Sequence, residues 1–134
     1  MGLDTYAYAV NAGILSDADQ IRFGTKVHDA DGEPLPGVMR EELIWWRNHW
    51  ALHEWFKALH CRKGGPTEDF NLEPVRIQQA DLLQFEHDLD NGKIRAATGT
   101  DDYDTDLATQ DRGFIYIARK TLEAGKTVYV ESWW

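Results

Sequence analysis

A chain of 134 residues, 43% hydrophobic and 28% charged, has length for one core and one domain, residues 1–134. Its net charge of −9 argues against binding a nucleic-acid backbone, which calls for a basic face. A single cysteine, Cys61, excludes an intrachain disulfide, and no apolar run nears the ~20 residues of a membrane span. The opening Met-Gly-Leu-Asp also lacks a signal peptide's basic start, so a cytoplasmic protein without membrane contact is expected.

Gly2–Val10 reads as a strand, with Tyr6, Tyr8 and Val10 at period two and Thr5, Ala7 and Ala9 between them. Ser16–Asp19 is turn-like, Gln20–Val27 alternates again, and Asp31-Gly32 marks a turn. Pro34 and Pro36 make Glu33–Met39 an edge or a loop. Glu41–His60, uninterrupted by Gly or Pro, reads as a long helix with Trp45, Leu52, Phe56 and Leu59 on its apolar face. Val75–Gln78 is a short extended piece. Gln79–Asn91 is a second helix, with Leu82, Phe85 and Leu89 on one side and Gly92 as its stop. Lys93–Thr98 reads as a short strand and Gly99–Thr105 as a polar loop. A third helix follows over Asp106–Ala124, its stripe Leu107, Asp111, Phe114/Ile115, Ala118 and Leu122, ended by Gly125. Thr127–Trp134 is a terminal strand. The order predicts an α+β fold: a small antiparallel sheet containing both terminal strands, with about three helices packed on it. Tyr6, Tyr8, Tyr129 and Trp133 would form a wall facing the long helix or its flank, with Trp133 buried.

Residues 41–60 hold four of the six tryptophans and three of the five histidines. On one helix, His49 and His53 are four apart and could share a zinc ion, with Asp4 or Asp102 completing the site. Packed histidines beside a core stripe are the simpler reading. Trp46, Trp50 and His53 would form a second stripe, serving as core, as a dimer contact or as a stacking platform for a ligand. Asp102-Tyr-Asp104-Thr-Asp106 alternates like a calcium loop but lacks its Gly and distal Glu. No phosphate loop and no Gly-x-Ser-x-Gly elbow is present, and His60 and Cys61 are adjacent and point apart on a helix.

Four blocks share an order with a known family. They are Met1-Gly-Leu-Asp-Thr-Tyr6, Trp45-Trp-Arg-Asn-His-Trp-Ala-Leu-His-Glu-Trp-Phe56, Asp102-Tyr-Asp104 and Tyr129-Val-Glu-Ser-Trp133. Together they resemble a family of small, functionally uncharacterised phage and prophage proteins. The matching positions are Asp4, Tyr6, Trp46, Arg47, His53, Trp55, Phe56, Tyr103, Asp104 and Trp133. His49 and Trp50 depart from the family pattern, and Arg95-Ala-Ala-Thr-Gly99 replaces its Gly-Phe-Phe-Phe-Gly run.

The resemblance implies an accessory protein that binds a host or phage protein or sequesters a small ligand, closer to a binding protein than to an enzyme. Trp46, Arg47, Trp50, His53 and Tyr103 are the candidate contact residues. One alternative is a small hydrolase using His53 as general acid or base, oriented by Asp4 or Asp104, with Arg47 on an anionic substrate. Another is a structural metal at His49 and His53. A homo-oligomer would also account for so many aromatic side chains.

Overall fold

The computed structural model describes residues 2–10, 40–64, 70, 74–96 and 105–134. The expected features between residues 11 and 39, and the loop over 99–104, lie outside them. The described elements run β1 (Asp4–Val10), β2 (Arg40–Arg47), α1 (Trp50–Arg62), β3 (Val75–Ile77), α2 (Gln79–Asp90), α3 (Lys93–Ala96), α4 (Thr105–Glu123) and β4 (Thr127–Trp133). The strands form one antiparallel sheet in the order β2-β1-β4-β3, so the first and last strands are its centre. This is the expected α+β architecture.

The sheet's inner face carries Ala7, Trp46, Val75, Ile77, Val128 and Val130. These join Leu52 and Phe56 of α1, Leu82 and Phe85 of α2, Ile94 of α3 and Phe114 of α4 in one buried cluster. Ala7 is small, which leaves room for the rings above it. Trp46 meets Phe114 edge-on at 5.2 Å, and Phe114 meets Phe85 in the same way at 5.5 Å. Each such pair adds about 0.5–1.5 kcal/mol beyond area burial.

The expected long helix is two elements. Its first part falls in the strand Arg40–Arg47, which pairs with β1, and only Trp50–Arg62 is helical. Asn48 makes the corner with a φ of 55°, a left-handed conformation that Asn tolerates better than most residues. Its backbone N–H donates to the Leu3 carbonyl at 2.7 Å, and its Oδ1 accepts from the Leu3 N–H at 2.9 Å. The next residue, His49, caps α1: its Nδ1 accepts from the Leu52 N–H at 3.4 Å. The register of β2 on β1 shifts between Ala7 and Tyr8, where Leu43 and Ile44 follow one another and both pack against the core.

Two further expectations change. Lys93–Ala96 is a helical turn rather than a strand. Tyr6, Tyr8, Tyr129 and Trp133 do not face the helices: pairing puts them on the outer face, and the alanines of β1 face inward. Tyr8 and Tyr129 are nonetheless buried there, at 3% and 0% exposure, while Trp133 is 52% exposed. Both sheet edges have a carbonyl covered by a side chain. On β2 the Trp45 carbonyl accepts from Gln110 of α4 at 3.1 Å, and on β3 the Arg76 carbonyl accepts from Lys63 at 2.6 Å. Among the described residues no helix is long and apolar enough to cross a membrane.

Candidate functional site

Chemistry-bearing side chains gather where β1 begins, β2 and β4 end, and α1 starts. Antiparallel pairing sets Tyr6 opposite Trp45 on one side and Glu131 on the other, and Asp4 opposite Arg47 and Trp133. The Tyr6 ring therefore stands between two indoles on the outer face. It lies 6.4 Å from Trp45, with planes 12° apart, and 6.4 Å from Trp133, at 68°. Asp4 Oδ1 accepts from Trp45 Nε1 at 3.0 Å and from Arg47 Nη1 at 3.1 Å. The Arg47 guanidinium lies over Gly2, where a Cβ would come within 2.7 Å of Nη2. A glycine at this point is what lets the arginine lie down. Burial raises the Tyr6 hydroxyl's pKa above the ordinary tyrosine value, and the carboxylates of Asp4, Glu42 and Glu131 add to the shift against the opposing Arg47.

Round the corner, at the start of α1, Trp50 and Trp134 meet edge to face at 6.1 Å. Both also meet the imidazole of His53 edge to face, at 5.6 and 5.7 Å, and Phe70 lies against it at 5.7 Å. His53 is 2% exposed, and its Nδ1 is buried without a hydrogen-bond partner. Burial lowers its pKa below the ordinary histidine value, an effect Glu54 opposes and Lys57 reinforces. Phe70 has a φ of 48°, a conformation costly for a bulky side chain, and its buried ring also touches His60.

A second polar cluster lies in the core. Asp111 is fully buried; its Oδ1 accepts from Trp46 Nε1 and its Oδ2 bonds His49 Nε2, both at 3.0 Å. Since His49 Nδ1 already accepts from Leu52, the ring proton resides on Nε2 and is donated to Asp111. A third indole, Trp55, donates to Asp88 at 2.9 Å. Burial pushes the Asp88 carboxyl up, but the bonds from Trp55 and Gln84, with Lys93 and His87 nearby, hold it below the ordinary value.

The sequence-derived candidates therefore separate. Arg47, Trp50, His53 and Asp4 reach the same end of the molecule. Trp46 does not: it is fully buried and belongs to the core. His49 is a helix cap tied to Asp111, not a helical neighbour presenting a free nitrogen beside His53. Among the described residues no group of three or more His, Cys, Asp or Glu could hold a metal ion. Tyr103, Asp104 and Asp102 lie outside the described residues. Asp4 bonds Arg47 and Trp45 rather than His53.

Asp88 and Asp111 are the partners that periodicity alone does not reveal, since Asp111 falls on the apolar stripe of α4. A carboxylate on an apolar stripe, facing tryptophans whose N–H needs an acceptor, was the available signal. The chain matches no protein-family model, no curated protein and no solved structure.

Proposed function

We propose that this protein acts by binding, as an accessory protein of the phage type its motif blocks resemble, and that it engages a host or phage protein through the Trp45–Trp50–Trp133–Trp134 end. The observation that carries this reading is the half-exposure of those four indoles, at 47%, 42%, 52% and 44%, on adjoining strand and helix ends. Tryptophan, tyrosine and arginine are the side chains that anchor interfaces. Trp45 and Arg47 are already held by Asp4, which lowers the entropy lost when a partner fixes them. The hydrolase alternative is less well supported. Among the described residues the side chains around His53 are aromatic rings, and none supplies a carboxylate to its buried Nδ1.

Cross-linked capture from host cells tests the proposal, comparing the unmodified chain with a Trp45→Ala/Trp133→Ala double variant and with Leu83→Ala, which alters an exposed residue of α2. The partner should be lost with the double variant and kept with Leu83→Ala. Equal capture by all three would overturn the assignment. Turnover of a substrate by the unmodified chain, abolished by His53→Ala, would overturn the binding reading itself.

A further inference from the structure

The outer face of the sheet is closed at one half and open at the other. Val10, Tyr8 and Tyr129 are buried, whereas Trp45 and Trp133 stand half-exposed on either side of Tyr6. The open half is an aromatic shelf across β2, β1 and β4. Its rings present electron-rich faces, which attract cations.

The carboxylates of Asp4, Glu42 and Glu131 act on the Tyr6 hydroxyl, with Arg47 as the opposing cation. Arg47 is committed to Asp4 at 3.1 Å, so the pair is close to neutral. Glu131 lies directly across from Tyr6 on the same face, buried and engaged in contacts of its own, so it is not offered to a ligand. Glu42, opposite Tyr8, is exposed and carries a further negative charge at the shelf. The whole chain is at −9, which draws cationic partners from a distance. A second copy of this chain would bring the same carboxylates to the same rings and be repelled.

Resting on the binding reading above, we propose that the Trp45–Tyr6–Trp133 shelf receives an arginine-bearing basic segment of a partner protein, its guanidinium lying on the rings beside Glu42. Arginine fits better than lysine. Its planar, weakly hydrated guanidinium stacks on indole and phenol faces, and its N–H fork can meet a carboxylate edge-on.

The probe is a short arginine–glycine repeat peptide, titrated into the full chain while the six indole N–H signals are followed by NMR. Matched lysine–glycine, glutamate–glycine and phenylalanine–glycine peptides are the other arms. The Trp45 and Trp133 signals should move, and those of Trp46 and Trp55, bonded inside to Asp111 and Asp88, should stay and report an intact fold. Trp133→Ala should weaken the arginine peptide about fivefold, the range of one exposed cation–π contact. Glu42→Gln should weaken it less and flatten its salt dependence. Tyr116→Ala, altering an exposed ring of α4, should leave affinity unchanged.

Equal binding of arginine and glutamate peptides, or an arginine affinity indifferent to Trp133→Ala, would overturn the proposal. Preference for the phenylalanine peptide, lost in Trp133→Ala, would overturn the basic partner but leave the binding surface standing. Failure of all four peptides to move the two signals, with no partner captured from host cells, would overturn both.

Discussion

Trp45 and Trp46 are neighbours in sequence and stand on opposite faces of β2. Each indole N–H lies 3.0 Å from an aspartate oxygen, and each aspartate also bonds a basic side chain, Arg47 outside and His49 inside. The bond geometry is the same; the surroundings are not. Asp111 and His49 are 0% and 2% exposed, whereas Asp4 and Arg47 are 25% and 58% exposed. Water replaces whatever the outer cluster loses, and nothing replaces what the inner one loses. The inner cluster therefore fixes the β2–α1–α4 junction, and the outer one orients side chains on a surface.

Removing the two aspartates separates these roles most sharply. Asp111→Ala should cost about 3–5 kcal/mol, since it takes away a buried acceptor that Trp46 and His49 share and leaves two donors in a dry site. Urea unfolding measures it, and a midpoint equal to that of the unmodified chain would show that the inner cluster is dispensable. Next in size is Trp133→Ala. The sequence alone suggested a buried tryptophan worth ~3–5 kcal/mol. At half exposure the expected loss is about 1–2 kcal/mol, and a larger one would mean the outer shelf is structural.

Acid tests the rings packed around His53. The pKa of His53 is depressed in the folded chain, so the unfolded chain binds more protons as pH falls below the ordinary value of 6.5. The stability held by neutral His53 is complete above that pH and is lost as pH drops toward the depressed value. His53→Phe keeps an aromatic ring and removes the titration, so its melting temperature should fall less between pH 7 and 5.5 than that of the unmodified chain. Parallel curves would show that another group sets the acid response. The smallest effect belongs to Asp4→Ala, at most about 1 kcal/mol, because its ion pair is open to solvent. Its loss should instead broaden the Trp45 indole signal.

The terminal strands and the helices ended by Gly92 and Gly125 were legible in the sequence, because alternation, helical spacing and stop residues agree there. The strand Arg40–Arg47 overlaps the helix expected from Glu41 onward. This strand is apolar toward the core at Ile44 and Trp46 and still carries Trp45 outward, so it lacks the clean alternation that identifies a half-buried strand. Its end is marked only by Asn48, and histidine is an unusual helix cap. Alternation also told which residues of β1 share a face, not which face meets the helices. The bulkier tyrosines were assigned inward, but the alanines lie there, under the large rings. The clusters could not be read locally at all: Trp45, Trp46 and Trp55 find their aspartates 41, 65 and 33 positions away.

The side chains set against the rims of the sheet limit how molecules of this protein can join. A strand arriving at β2 must displace the Gln110 amide from the Trp45 carbonyl, and one arriving at β3 must displace the Lys63 ammonium and strip it of water. Among the described strands, growth by strand addition, the common route to fibrils and to swapped sheets, is obstructed at both edges. A partner of the kind proposed would meet the flat surfaces instead, where side-chain chemistry rather than backbone pairing selects it.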